Sequence, residues 1–440
     1  MSLPVIKNYI NDEWMDAESD VTGDVWNPAT GEKIAVVPYG NRADVDKAVA
    51  AAKAAFPAWR KTPPLSRARY LFRLKDAFEE NFEDIATGID CYGHRQPMGV
   101  FAAIVPYNFP AMVAWWFLPY AIVAGNTYVV KPSEQVPMTQ TKIMEIVEEI
   151  GLPEGVINMV HGSKDVVNGI LDHPDIEGVS FVGSTPTAKY IYKRCGETGK
   201  RVQALGGAKN VIAIMPTADI GEGMPSLVSS FYGCSGQRCL AGSILAPVGD
   251  KTDEIVEKFL FAARQLTVGD GLDQQTGMGP VGSAAQKEKV LGYIEKGIEE
   301  GATLLLDGRD CKVEGYPDGF FVGPTIFDNV TPDMTIAKEE IFGPVVCIVR
   351  CNSLDEVINL VNTRGLSNAT SIYTGSGSDA RKFKYEVLPS MVGVNIGIAA
   401  PMSFFPFGGA GNSMFGDVKG HGQEIFQFFT DTKVVIERWF

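Results

Sequence analysis

Cys239 lies in the run Gly233-Cys234-Ser235-Gly236-Gln237-Arg238-Cys239-Leu240, a thiol among small residues with a guanidinium beside it. Nearby positive charge favours thiolate over thiol, and the thiolate is the form that attacks a carbonyl carbon. The run points to an activated nucleophile; a buried structural cysteine is the competing reading. Attack on a carbonyl also needs a donor aimed at the oxyanion that develops. Asn108, in Val105-Pro106-Tyr107-Asn108-Phe109-Pro110, is a candidate at the end of an apolar strand run. An asparagine bonding within its own turn accounts for the same residue. Val130-Lys131-Pro132-Ser133-Glu134 offers Lys131 and Glu134 to the ribose hydroxyls of a nucleotide, or reads as a solvated helix start. Phe181-Val182-Gly183-Ser184-Thr185 opens a helix, where the amides near Gly183, the helix dipole and the Ser184 hydroxyl suit a phosphate. The chain contains no Gly-x-Gly-x-x-Gly fingerprint and no Walker loop, so the phosphate reading rests on these features recurring at successive strand ends.

The elements that must position these residues alternate. Strands are predicted at Met98–Val105, 126–130, 156–160, 178–182 and Arg201–Leu205, with helices over 111–123, 139–150, 165–171 and 187–194. Strand–helix alternation with short connections implies right-handed crossovers and a parallel sheet covered on both faces. A second alternating region starts near Ala208. Its strands are predicted at 211–215, 244–248, 302–306, 345–350, 368–373 and 391–395, and its helices at 253–266 and 286–300. The fold class is α/β, with two such domains and no internal repeat.

Composition narrows the partners. The 440 residues are 45% hydrophobic and 21% charged, an ordinary globular balance. A net charge of −14 disfavours nucleic acid and anionic membrane, which need a basic face. Seven cysteines without a Cys-x-x-Cys pair, and four scattered histidines, point to neither a disulfide framework nor a metal site. A reducing, cytoplasmic compartment is expected. Residues 96–130 carry no charge, but Pro97, Pro106, Pro110 and Pro119 interrupt them, so strand, loop and buried helix are expected instead of a membrane span.

Seven segments in order resemble the aldehyde dehydrogenase superfamily over nearly the whole chain. They are 27–31, Pro106-Tyr107-Asn108-Phe109-Pro110, Lys131-Pro132-Ser133-Glu134, Phe181-Val182-Gly183-Ser184, Gly236-Gln237-Arg238-Cys239, 339–344 and Pro406-Phe407-Gly408-Gly409. The resemblance implies a Rossmann-type NAD-binding domain (1–88 and 98–207), an α/β catalytic domain (208–425) and a small oligomerisation arm (89–97 and 426–440) in a homodimer or homotetramer. It gives Cys239 the role of nucleophile and Asn108 that of oxyanion donor. Val105, Tyr107, Lys131, Glu134, Gln135, Gly183, Ser184 and Gly206 fall at the adenosine, ribose and phosphate contacts of NAD. Glu340 and Phe342 fall at the nicotinamide ribose and ring. The implied chemistry is attack by Cys239 on an aldehyde and oxidation of the thiohemiacetal to a thioester.

Two departures sharpen this expectation. Hydrolytic members carry a glutamate base in a Glu-Leu-Gly-Gly-Lys stretch; here it reads Gln203-Ala204-Leu205-Gly206-Gly207-Ala208-Lys209-Asn210, with Leu205 where that carboxylate would be. A leucine cannot abstract a proton, so a second thiol, coenzyme A, is the expected acyl acceptor. Gly207-Ala208-Lys209-Asn210 and the arginine before the cysteine resemble the CoA-acylating methylmalonate-semialdehyde (malonate-semialdehyde) dehydrogenases. Hydrolytic release with water activated by another residue, or a truncated inactive paralogue, are the alternatives. Arg238 is suited to pair with a substrate carboxylate, or else tunes Cys239 or makes a structural bridge. Phe407 lines the aldehyde pocket or fills the core. The second departure is a loss: between 80–86 and 88–90 the family normally has a few dozen more residues, forming helices beside the substrate entrance and supplying a second substrate-binding arginine.

Overall fold

Val100–Ile104, five apolar residues in a row, is the central strand of a six-stranded sheet in the computed structural model. The structure describes residues 3–27, 30, 32–63, 65–67, 69, 73, 90–149, 152–363 and 365–437. Residues 1–91 with 436–440 form one unit and 92–435 another. In the first unit, Asn8–Ile10 and Glu13–Met15 make a hairpin through Asn11 and Asp12, both left-handed, as a two-residue turn of that twist requires. Thr22–Asn27 pairs antiparallel with Glu32–Pro38. The helix Arg42–Lys61 starts at Asn41, which forms a reciprocal capping box with Asp44.

The second unit holds both large sheets. The first runs Ile157–Met159, Thr127–Lys131, Val100–Ile104, Ile176–Val182 and Arg201–Leu205, all parallel. In chain order that is 3-2-1-4-5, the doubly wound arrangement whose strand order reverses between Val100–Ile104 and Ile176–Val182. Alternate residues of the strands face opposite layers. Phe101, Ala103 and Val130 pack on the helix Ala114–Val123 and on Phe428 and Phe429. Ala102, Ile104 and Val179 pack on the helices Lys164–Asp172 and Thr185–Glu197. The segment 96–130 is thus strand, loop, helix and strand, and among the described residues no helix is long and apolar enough to cross a membrane.

The second sheet has seven strands in the order Thr303–Leu306, Thr325–Asp328, Val345–Ile348, Gly242–Pro247, Asn210–Ile214, Ala369–Tyr373 and Met391–Val394, with only the first antiparallel to its neighbour. Among the longer helices of this region, three escape the periodicity reading: Ile220–Tyr232, Leu354–Asn362 and Gly377–Glu386. Each carries a local start signal, since the side chains of Asp219, Ser353 and Ser376 accept N–H groups three residues on, from Glu222, Glu356 and Asp379. The strand Thr325–Asp328 is a further omission, four buried residues too short to show a period.

One boundary differs from expectation. Met414–Phe415, expected in the catalytic domain, pairs antiparallel with Arg201–Leu205 and extends the first sheet. Two residues give no strand pattern, and this pairing places Ser413 where its carbonyl accepts the Gly206 N–H at 2.9 Å. Asp90–Pro97 and Thr430–Glu437 pair as a separate two-stranded ribbon.

A buried asparagine ties the central strand to the chain's return. Asn126 accepts the N–H groups of Met98 (2.8 Å) and Gly99 (3.0 Å) and donates to the carbonyls of Ala121 (3.2 Å) and Phe429 (2.8 Å). Replacing it strands buried main-chain groups, each costing about 1–3 kcal/mol. Asn126→Ala is expected to lower stability by about 2–4 kcal/mol in urea unfolding, and an unchanged midpoint would contradict this accounting.

Candidate active site

A cavity of about 390 Å³ opens where the strand order of the first sheet reverses, at the carboxyl ends of its strands. That is where ligands of open parallel sheets bind. Of the residues singled out in the sequence, Cys239, Asn108, Val105, Tyr107, Lys131, Glu134, Gly183, Ser184, Gly206, Glu340 and Phe342 line it. Gln135, Arg238 and Phe407 do not. Gln135 is exposed one residue beyond the wall. Phe407 is buried against Trp116, ring centroids 4.5 Å apart, and of these two rings it is Trp116 that lines the cavity.

The loop before Cys239 is held in an unusual backbone. Cys234, Ser235 and Gly236 have φ of 51°, 54° and 69°, three consecutive left-handed residues. Ser235 Oγ donates to the carbonyls of Gly279 (2.6 Å) and Pro280 (3.1 Å). A Cβ on Gly236 would overlap the Gly343 carbonyl, so only glycine allows this approach. Next in the chain, Gln237 Oε1 accepts both the Tyr107 hydroxyl and the Gly282 N–H, each at 3.0 Å. Its carbonyl accepts Asn108 Nδ2 at 2.8 Å, which fixes the asparagine beside the cysteine loop and leaves its second N–H for an oxyanion. Gln237 stands inside a recognised motif, yet nothing in the sequence marks it as the link between the two domains' site residues.

The electrostatics of Cys239 correct the expectation of a thiolate activated by its neighbour. Burial pushes the thiol up to about 12 and the Glu340 carboxylate adds to this. The N–H groups of Cys239 and Leu240 oppose it, and Arg238 contributes least. The reason is direction: the Arg238 guanidinium packs over Gly233 and donates to the Ser229 carbonyl, away from the cavity. Burial lowers the proton affinity of that guanidinium too. Adjacent residues in a turn point apart, so adjacency in sequence did not give adjacency of charge.

Glu340 accepts the Ala208 N–H at 2.8 Å, and a Cβ on Gly207 would overlap its other oxygen. Burial raises its carboxyl above the usual range despite that bond and the nearby Lys289 and Lys209. Phe342, left-handed at φ 58°, sits edge-on to Tyr107 at 6.2 Å. This strained segment is held from the helix Ala284–Glu299, which presents Gln286 and Lys289 one turn apart. Gln286 Nε2 donates to the carbonyls of Ile341 (3.2 Å) and Phe342 (2.7 Å), and Lys289 to that of Glu340 (3.3 Å). Neither was singled out in the sequence, although their spacing of three on a helix was a usable signal. At the other end, Lys131 Nζ is 2.7 Å from Glu134 and holds that carboxyl below its ordinary value. Ser184 precedes the helix Thr185–Glu197 and bonds Thr187 Oγ1 at 2.9 Å.

These residues fit a dinucleotide. A thirteen-residue helix points its N-terminus into the cavity, with hydroxyls at its first turn and a lysine–carboxylate pair on the neighbouring strand end. The cysteine, asparagine and buried carboxylate gather at the other end. Family comparison agrees: the Aldehyde dehydrogenase family matches residues 14–91 and 86–435, and the chain belongs to that family. A malonate-semialdehyde dehydrogenase of Halalkalibacterium halodurans is 44% identical over 478 residues, covering 99% of this chain and 98% of its own length. The crystal structure of a methylmalonate-semialdehyde dehydrogenase from Oceanimonas doudoroffii superposes with a TM-score of 0.78 at 38% identity, covering 99% of both chains. A Mycobacterium tuberculosis aldehyde dehydrogenase complexed with NAD+ gives 0.75 at 32% identity, again covering 99% of both.

The alignment also locates a deletion. A span of 478 positions against a chain of 440 leaves at least 38 positions of the Halalkalibacterium protein without a counterpart here. The two family blocks overlap at 86–91, so the loss falls where the sequence carries its one Asp84-Ile85-Ala86 run, outside the described residues. Met112, Val123 and Met138, on or beside the two helices that follow the first two strands of the sheet, expose their apolar side chains.

Because Glu340 raises the Cys239 thiol, neutralising it favours thiolate at any given pH. Glu340→Gln is expected to speed iodoacetamide alkylation of Cys239 at pH 8 by roughly threefold or more, with the exposed Cys234 as internal control. A slower or equal rate would show that the carboxylate does not act on the thiol.

Proposed function

We propose that this chain oxidises malonate or methylmalonate semialdehyde and transfers the acyl group to coenzyme A. The observation that carries the reading is the apolar packing behind Cys239. Leu205 is buried in the same cluster against which Cys239 packs, at the position where hydrolytic relatives are expected to place a water-activating carboxylate. The kinship in sequence to malonate-semialdehyde dehydrogenases supports the choice of substrate.

The Cys239 thiol gives up its proton to solvent and the thiolate attacks the aldehyde carbon, forming the sulfur–carbon bond as the carbonyl π pair moves to oxygen. The free N–H of Asn108 and the main-chain N–H of Cys239 receive the charge on oxygen. Lys131, Glu134, Ser184 and Gly206 hold NAD at the adenosine, ribose and phosphate end; Glu340 and Phe342 hold its nicotinamide end. When bound, NAD is the hydride acceptor that turns the thiohemiacetal on Cys239 into a thioester. With no base at Leu205 the thioester persists until the coenzyme A thiol displaces Cys239. Arg238 has no substrate contact in this mechanism, because its guanidinium is tied to Ser229. The ribbon of Asp90–Pro97 and Thr430–Glu437, with Val434 exposed on it, supports assembly as a homodimer or homotetramer.

One observation favours hydrolysis as a second reading. Glu340 is a buried carboxylate of raised proton affinity that acts on the Cys239 thiol, the character of a general base. The deletion of at least 38 positions favours a third, a chain that binds NAD without turnover. Steady-state NADH formation from malonate semialdehyde separates the three. The expected result is at least a tenfold higher rate with coenzyme A than without it, and loss of at least 10³-fold in Cys239→Ala but not in Cys234→Ala. Equal rates with and without coenzyme A, with free acid as product, select hydrolysis through Glu340. NAD binding by calorimetry with no Cys239-dependent NADH selects the inert chain.

A further inference from the structure

The peptide that joins Cys239 to Leu240 is gripped from the side of the second sheet, and we propose that Asn210 and Asn368 are positioning residues that aim the Leu240 N–H at the Cys239 sulfur. The inference rests on Cys239 being the nucleophile. Asn210 begins the strand Asn210–Ile214 and donates through Nδ2 to the carbonyls of Cys239 at 2.9 Å and Ala241 at 2.8 Å. Its Oδ1 accepts the Ala369 N–H at 3.0 Å, so one side chain bonds to two neighbouring segments. Asn368, one residue before the strand Ala369–Tyr373, donates to the same Cys239 carbonyl at 3.0 Å. Both asparagines are buried, 3% and 4% exposed.

Two amide donors occupy both lone pairs of that carbonyl. A trans peptide is planar, and its carbonyl oxygen and the following N–H point in opposite directions. Drawing the Cys239 oxygen toward the sheet therefore turns the Leu240 N–H the other way, toward the thiol. The Leu240 and Cys239 N–H groups both favour the thiolate, against burial and the Glu340 carboxylate, with Arg238 as the remaining charge that acts on the sulfur. Asparagine suits the task because it donates without a charge and keeps the same geometry at every pH. Aspartate would present only acceptors to a carbonyl, and leucine of similar size would present nothing.

The test is the alkylation rate of Cys239 by iodoacetamide from pH 7 to 10 in the full chain, read by peptide mass spectrometry with Cys234 as internal control. Asn368→Leu is expected to slow Cys239 about tenfold at each pH, the effect of about one unit in the thiol's proton affinity. Cys234 alkylation and NAD affinity are expected to stay within twofold of the parent. Asn368→Ser, which keeps a hydroxyl donor, is expected to recover part of the loss. A folded Asn368→Leu protein whose Cys239 profile superimposes on the parent's would overturn the proposal. Where Asn368→Leu does not fold, Asn368→Ala is judged by the same two outcomes. Should Cys239→Ala retain NADH formation, the nucleophile reading fails separately, because the alkylation profile does not depend on turnover.

Discussion

Three consecutive left-handed residues shortly before Cys239 set the terms for everything around them. An L-residue in that conformation costs about 1–2 kcal/mol, and Cys234 and Ser235 are held there with no glycine freedom of their own. The backbone persists because its surroundings over-determine it. Ser235 is tied to 279–280, Gly236 lies against Gly343, and Gln237 is bonded from Tyr107, Asn108 and Gly282. Those contacts come from the first sheet's central strand end, the segment following Phe342 and the approach to the helix Ala284–Glu299. The cysteine loop is therefore the place where both sheets meet, and its shape fixes the mutual position of Cys239 and Asn108.

The same loop keeps the thiol quiet without a ligand. Burial and Glu340 hold the proton on Cys239, while the main-chain N–H groups favour its loss. Reactivity then depends on where the Glu340 carboxylate stands, and that carboxylate is held by Ala208 beside the glycine that lets it approach. Its backbone is in turn held by Gln286 and Lys289. The carboxylate adds to what burial does to the thiol and is second to it. The chemistry of release is read from Leu205, which is buried in the apolar cluster against which Cys239 packs and offers no proton acceptor.

Much of the fold was legible because buried parallel strands are continuous apolar runs, as in Val100–Ile104 and Asn210–Ile214, and their helices alternate with them. The cavity lining was legible for a related reason: polar residues that follow such runs gather at one edge of the sheet. Direction was not legible. Arg238 precedes Cys239 by one residue, yet its guanidinium goes to Ser229; Phe407 sits in a recognised motif, yet of it and Trp116 it is Trp116 that lines the cavity. The helix Ile220–Tyr232 was hidden by Gly221, Gly223 and Pro225, although Asp219 caps it. Asn368 opens a predicted strand, yet strand pattern does not say which neighbouring segment its side chain meets, and only the three-dimensional placement of that strand brings it to the Cys239 carbonyl.

The deleted segment tests how much of the proposed machinery is self-sufficient, since Cys239, Asn108 and the residues proposed to hold the dinucleotide all lie outside it. The most direct measurement is the intact mass of the protein mixed with NAD and malonate semialdehyde, first without and then with coenzyme A. The account expects an acyl adduct on Cys239 that persists for minutes without coenzyme A and clears at once when it is added. An adduct that water removes as fast as coenzyme A does, or no adduct at all, would contradict it.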